Sequence, residues 1–257
     1  MIALALALLL ASPGSAAYEK ANALFVAKKF DEASAAVSEA LRRDPNFVPA
    51  LTLKAKLAMA ASHFEEAGAV LERALKADPK AEYAQFLYGL TAYLTNDVGR
   101  ALPRFRKARE LNPASSRAAF YLGLSCESLG QTDEAMALYR DAVRLEKTSG
   151  GAQPETLLAG ARLLSLLNRT DESETWIREA IVADPKFRDS HFELARLLLK
   201  KGNAKEAAAE GEPALMLSGA AITDAQIHYL LIRAWGQLGQ REKAAAHAAT
   251  LRALEAR

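Results

Sequence analysis

The chain has little of what disulfide stapling, metal binding or catalysis requires. Of its 257 residues one is cysteine, Cys126. A single thiol closes no internal disulfide and builds no cysteine-rich zinc site. Cys126 falls in the apolar pattern of a helix, where free cysteine acts as a small buried hydrophobe. Charge of one sign is missing too: 33 Lys and Arg face 31 Asp and Glu, for a net charge of +2. That balance gives no electrostatic footprint for nucleic acid or for an anionic membrane. Aromatic residues are only 7% of the chain, against 51% hydrophobic. Such a composition suits many small helix–helix contacts better than one bulky core. Gly123-Leu124-Ser125-Cys126-Glu127 opens like a nucleophile elbow, but its second glycine is absent and no strand precedes it. His63-Phe64-Glu65-Glu66 and His191-Phe192-Glu193-Leu194 are not the H-E-x-x-H of zinc proteases, and no glycine loop could cradle a phosphate. No cofactor, metal or catalytic residue is expected.

The N-terminus differs from the rest. Ile2 to Ala11 is a continuous apolar run, followed by Ser12-Pro13-Gly14-Ser15-Ala16-Ala17. That order reads as a secretory signal peptide over residues 1–17, cut after Ala16 or Ala17, although no Lys or Arg precedes the run. The run is too short for a membrane span, which takes about 20 apolar residues. The other reading is a hydrophobic helix capping the array. No cysteine follows to carry a lipid anchor. An exported protein, periplasmic or extracellular, is expected, with the cytoplasm as the alternative. Asn168-Arg169-Thr170 is a glycosylation sequon, meaningful only in a eukaryotic secretory route.

Internal spacing is the strongest signal. Ala33, Ala67, Ala101 and Ala135 recur every 34 residues, as do Ala40, Ala74, Ala108 and Ala142. Pro45, Pro79 and Pro113 keep the same interval, and so do Gly89 and Gly123. Ala180 follows Ala142 after 38 residues, so four have entered at the loop-like Thr148-Ser149-Gly150-Gly151-Ala152-Gln153. Ser173, Ala180, Pro185, Ala207 and Ala214 carry the pattern on. Ala244 closes it, 37 residues after Ala207, with three more added near Gly219-Ala220-Ala221. Small side chains at fixed points let helix axes approach closely. Prolines after Asp or Asn stop each second helix. One such hairpin cannot bury its apolar face alone, so neighbours must stack.

These columns resemble the tetratricopeptide repeat family, most clearly at Gly89, Tyr93, Ala101, Phe105, Ala108 and Pro113, and again at Gly123, Ala135, Tyr139 and Ala142. The likeness covers residues 17 to 252. It implies an all-α, right-handed α-solenoid superhelix of about seven helical hairpins. Repeats one to four occupy 18–149, a Gly-rich insertion 150–153, and repeats five to seven 154–257. The last two repeats are loosest, with Gly211 where a bulky residue is expected and Ile232 where a small one is. Pro213 should break or kink the second helix of repeat six, at a cost of about 3 kcal/mol. The Gly150-Gly151 insertion lacks a terminating proline, so a bend or loosened contact is expected there.

The resemblance also implies that the first helix of each repeat lines the concave face, where ligands of the family usually lie. By position that face carries Tyr18, Asn22 and Phe25; Thr52, Lys56 and Met59; Phe86, Leu90 and Tyr93; Phe120, Leu124 and Glu127. Then follow Leu158 with Arg162, Phe192 with Arg196, and Tyr229 with Arg233. A spacing of four puts each aromatic and its arginine on one face. The candidate ligand-binding residues are Phe86, Tyr93, Phe120, Arg162, Phe192, Arg196, Tyr229 and Arg233, since aromatics and arginine are frequent interface anchors. The alternative has the aromatics packing on neighbouring helices and the arginines paired with Glu155, Asp189 and Glu193. Some members of the family clamp a terminal carboxylate with Lys and Asn. Tyr18 and Leu53 stand where that clamp needs polar residues, so it is not expected here. His191 and His228 hold equivalent places in adjacent repeats, yet zinc would need further ligands.

A non-catalytic scaffold follows, holding a protein or peptide, with an acidic segment, in the concave groove. Neither nucleic acid nor a stable membrane span is among its expected partners. The alternatives are a structural spacer or assembly factor of an envelope or secretion complex, and a stand-alone relative of the array that precedes a glycosyltransferase domain. The chain ends at Arg257 soon after the seventh repeat, so no such domain is expected on it.

Overall fold

The computed structural model describes residues 12–217 and 221–256. Among them are fourteen α-helices, which pair in chain order as seven hairpins. These are α1 (Ser15–Val26) with α2 (Phe30–Arg43), α3 (Val48–Ala60) with α4 (Phe64–Ala77), and α5 (Glu82–Leu94) with α6 (Val98–Leu111). Next come α7 (Ser116–Ser128) with α8 (Thr132–Ser149), and α9 (Pro154–Leu166) with α10 (Thr170–Ala183). The last are α11 (Arg188–Lys200) with α12 (Ala204–Met216), and α13 (Asp224–Gln237) with α14 (Arg241–Glu255). The chain divides into two compact bodies, Met1–Ala135 and Met136–Arg257, the division falling inside α8. The fold is the expected all-α array of helical hairpins. The apolar run Ile2–Ala11 lies outside the described residues.

The small-residue columns are where the helices meet. Ala33, Ala67, Ala101, Ser173 and Ala207 are fully buried, and so are Ala40, Ala74, Ala108, Ala180 and Ala214. Serine replaces alanine at one place because its hydroxyl has a partner: Ser173 Oγ donates to the Ala161 carbonyl at 2.8 Å. Acidic residues sit in the first turn of α2, α4, α8 and α10, where the helix dipole favours them.

Both ends of each hairpin have a local cause. At the tip one residue takes positive φ: Lys28, Ser62, Asn96, Gly130, Asn168, Gly202 and Gly239. Their spacing repeats the 34-residue period with its two insertions. Glycine and asparagine tolerate that left-handed conformation, which costs other residues about 1–2 kcal/mol. At the far end the Asp or Asn before proline folds back on its own backbone. The side chains of Asp44, Asp78, Asn112 and Asp184 accept from the N–H two residues on, at 3.2, 2.8, 3.2 and 2.8 Å.

Two expectations are corrected. Pro213 does not break its helix, because α12 runs on to Met216. Pro213 and Ala209 are both exposed, so the carbonyl that loses its helical donor can be hydrated. Pro103 sits inside α6 on the same terms, with Gly99 exposed one turn before it. At the glycine insertion the chain is fastened locally. Gly150 and Gly151 turn the chain at φ 142° and 122°, and the buried carboxylate of Glu146 then ties down the start of α9. It accepts from Gln153 N at 2.9 Å and Thr156 Oγ1 at 2.7 Å. The first helix begins at Ser15, ahead of residue 18, where the first repeat is expected to start. Gly14 is buried there, and a Cβ on it would lie 2.6 Å from the Ala40 carbonyl oxygen.

The loose sixth and seventh repeats also have an explanation. Gly211 leaves a gap on α12, and Leu231 of α13 fills it; a Cβ on Gly211 would meet Leu231 Cδ2 at 2.9 Å. The missing bulk of one helix has moved to the next, which keeps packing density constant.

Candidate functional site

In the first body the first helices of three successive hairpins line a groove of about 490 Å³. Tyr18 and Asn22 of α1, Thr52 and Lys56 of α3, and Glu82 and Tyr83 beside α5 form it. Lys56 is half-buried beside the rings of Phe25 and Tyr83. Its Nζ lies 4.2 Å from the Phe25 ring centre and 6.0 Å from that of Tyr83. Arg117 Cζ stands 5.8 Å from the Tyr83 ring centre and 5.7 Å from that of Phe86. Neighbouring Lys54 pairs with Glu66 at 3.4 Å, whereas Lys56 has no ion-pair partner among the described residues. Burial holds the Lys56 ammonium below the usual lysine range, and the Arg117 charge adds to this. Burial also pushes the Glu82 carboxyl up, against the pull of Arg117 and a hydrogen bond from Asn112. The groove therefore combines aromatic walls, one half-buried cation and one weakened acid, with Arg117 near the Tyr83 ring.

The residues singled out from sequence divide between core and surface. Phe86 is 4% exposed and packs on Tyr83, Phe105 and Tyr121 at 6.2, 5.8 and 5.7 Å between ring centres. Phe192 is buried in the core of the second body. Tyr93 and Phe120 are half-buried, each edge-on to Tyr121 at 6.0 and 5.2 Å. Tyr229 is 60% exposed.

The three arginines are not equivalent. Arg162 Nε donates to Glu193 Oε1 and Arg196 Nε to Glu193 Oε2, both at 2.8 Å. One buried carboxylate thus holds two half-exposed guanidinium groups. Burial raises the Asp189 carboxyl beside them, although Arg162 pulls it down. Arg233 is exposed, with no ion-pair partner among the described residues. Glu193 and Asp189 had been named from sequence as the alternative partners.

Metal chemistry gains no support from the two equivalent histidines. His191 turns to Glu210 at 2.8 Å and to the Pro185 carbonyl at 3.0 Å. His228 turns instead to His247, so the two do not converge. Among the described residues no group of three or more His, Cys, Asp or Glu could hold a metal ion, and no helix is long and apolar enough to cross a membrane. Cys126 is fully buried, which pushes its thiol up to about 11.

Tyr83 and Arg117 went unnoticed in the sequence. Both are the second residue of a first helix, 34 apart, one place past the start of α5 and α7. That shared phase was the signal, but it lies outside the positions the resemblance marked.

Three family models match the chain. Tetratricopeptide repeat models match residues 14–88 and 158–222, and a model of the anaphase-promoting complex, cyclosome, subunit 3 matches residues 69–142. No curated protein sequence matches. Among solved structures, PilW, described as a widely conserved type IV pilus biogenesis factor, is 23% identical with a TM-score of 0.71, over 80% of this chain and 92% of that one. Pseudomonas aeruginosa PilF is 19% identical with a TM-score of 0.71, over 79% and 91%. A tetratricopeptide repeat protein from Parabacteroides merdae is 18% identical with a TM-score of 0.68, over 94% and 93%. At these identities the likeness is one of fold.

Proposed function

The chain belongs to the tetratricopeptide repeat family, and from that premise we propose that it is a non-catalytic scaffold whose first helices hold a partner protein by an acidic, partly apolar segment. One observation carries this reading: Lys56 stands in an aromatic-walled groove with no ion-pair partner among the described residues, the acid that lines the groove, Glu82, being drawn to Arg117 instead. A half-buried cation has already lost part of its hydration, so an incoming anion meets a site whose desolvation is partly complete. Arg117 adds a second positive charge, and the Tyr18 and Tyr83 faces supply apolar contact. In the second body Arg233 with Tyr229 offers a smaller site of the same kind. Arg162 and Arg196 contribute less there, because Glu193 already occupies them. Tyr93 and Phe120 extend the aromatic wall of the first body, while Phe86 and Phe192 shape the face from beneath.

Export is part of the reading. The Ile2–Ala11 run followed by small residues supports it. The fold-level likeness to PilF and PilW favours a subunit of an envelope assembly as partner, over the spacer or glycosyltransferase-related alternatives.

The test is selection of random dodecapeptides on the full chain, followed by calorimetry of the best binder. The enriched sequences should carry Asp or Glu beside an apolar residue. Lys56→Met should weaken the binder about tenfold or more, and added salt should weaken it further. Arg162→Ala with Arg196→Ala should change little, while Arg233→Ala tests the second site. Binders without a carboxylate, or equal affinity for Lys56→Met, would count against it.

A further inference from the structure

The last hairpin is fastened by a hydrogen-bonded relay that tolerates a limited number of protons. His228 of α13 is buried, and its Nδ1 lies 2.9 Å from Nδ1 of His247 on α14. The second nitrogen of His247, Nε2, lies 3.1 Å from Oε1 of Glu212 on α12. That oxygen also accepts from Trp235 Nε1 at 3.0 Å. Three helices therefore meet through two imidazole rings and one carboxylate. The fastening carries weight because α14 contributes no buried residue of its own.

A bond between two ring nitrogens needs a hydrogen on one and a lone pair on the other. With both rings neutral, His228 donates through Nδ1 and His247 donates through Nε2 to Glu212. One added proton leaves the relay whole, since the charged ring donates and the neutral ring accepts. A second added proton removes the last lone pair between the rings. Two cations then face each other with ring centres 5.1 Å apart.

We propose that the His228–His247 pair is an acid-release latch, closed at neutral pH and opened when both rings are protonated. Every packed element contributes a charge to its setting. Asp224 lies one turn before His228 on α13 and is engaged by Arg188 of α11. Glu212 and Glu210 come from α12, the latter held by His191. Lys243 of α14 sits 4.0 Å over the Trp235 ring. Burial, and then repulsion from His247, hold His228 below the ordinary imidazole range, outweighing the pull of Asp224 and Glu212. An unfolded histidine titrates near about 6.5. The unfolded chain thus binds the proton first, so the latch is fully effective above that pH and weakens as pH falls through the lower folded value. Tyr229 and Arg233 share α13 with the latch, so its opening removes support beneath that exposed patch.

Hydrogen exchange of the full chain, corrected for intrinsic rates and read by helix, tests this. Below pH 6.5 the opening of α14 should rise by up to about a hundredfold per pH unit, the limiting slope of two-proton uptake, while α10 stays unchanged. His191 serves as an internal comparison, because both its nitrogens face acceptors and its protonation breaks no contact. In His228→Gln the pH dependence of α14 should disappear. Nitrogen-15 NMR of the wild-type imidazoles needs no substitution and should show His228 titrating below the free value. Unchanged α14 protection between pH 7.5 and 5.5 overturns the proposal, as does a pH dependence that survives in His228→Gln or a His228 midpoint at or above about 6.5.

Discussion

At the scale of single residues, the fold depends on what stands opposite each small side chain. Gly89 faces the Phe105 ring, whose Cδ1 would be 2.8 Å from a Cβ placed there. Phe105 is fully buried, with Tyr121 stacked and Phe86 tilted against it, so it has nowhere to move. Gly89→Ala should therefore destabilise the chain by about 1–3 kcal/mol, the usual cost of overpacking. Gly68 is also helical, but a Cβ there would meet nothing within 4 Å. Gly68→Ala should be neutral or stabilising by up to about 1 kcal/mol through helix propensity alone. Urea denaturation of both variants separates the two cases. Equal stability of Gly89→Ala and wild type would mean that α5 and α6 approach less closely than described. Glycine at 160 is an intermediate case, because the Trp176 ring it would strike is only partly buried and can turn outward.

At the scale of elements, the hairpins were legible because their causes are local and repeat. The alanine columns, the Asp-Pro stops and the acidic first turns each follow from residues a few places apart. The fastening at the insertion was not legible, for the opposite reason. Its tie, Glu146, acts on Gln153 and Thr156, seven and ten residues away across a loop that looks slack in sequence. Burial pushes the Glu146 carboxyl up, although both hydrogen bonds pull it down. Its effect on stability is thus present below the ordinary glutamate value of about 4.3 and is lost as pH rises through the higher folded value. Glu146→Ala leaves a backbone N–H and a hydroxyl unpaired and should cost about 1–3 kcal/mol. Glu146→Gln keeps an acceptor for Gln153, and the Thr156 hydroxyl can reverse to match it. Denaturation at pH 4.5 and pH 7 should show Glu146→Gln near wild type and less dependent on pH, with Glu146→Ala lowest. A Glu146→Ala chain as stable as wild type would show that α9 needs no cap. The candidate face was legible in outline only. Helical spacing of seven and of four places Phe86 on the face of Tyr93 and Phe192 on that of Arg196, but which of them turns inward depends on rings supplied by other helices, such as Phe105 and Tyr121.

At the scale of the whole molecule, the proposed export signal overlaps the first hairpin. The signal-peptide reading puts the cut after Ala16 or Ala17, yet the first hairpin uses residues before it. Ser12 Oγ donates to Asp44 Oδ2 at 2.7 Å and accepts from Gly14 N at 3.2 Å. Gly14 seats the first turn of α1 against the end of α2, and its carbonyl accepts from Tyr18 N at 3.0 Å. Asp44 is also the residue that turns the chain out of α2, so one carboxylate serves both ends of the hairpin. A chain beginning at Tyr18 loses all of these contacts together with the first turn of α1. Terminal contacts of this kind are worth about 1–3 kcal/mol when the groups involved are half-buried. In a stack of hairpins such a loss is felt first by the terminal repeat, whose only neighbour is the next one. Two purified chains, one starting at Ser12 and one at Tyr18, make the comparison. Hydrogen exchange should show α1 and α2 opening more readily in the shorter chain, with α5 and α6 unchanged. Peptide affinity at the groove formed by Tyr18, Asn22 and Lys56 should fall in parallel, because α1 supplies one wall. Equal protection of α1 in both chains would show that residues 12–17 are dispensable to the fold, and so leave the cut after Ala17 free of any structural cost.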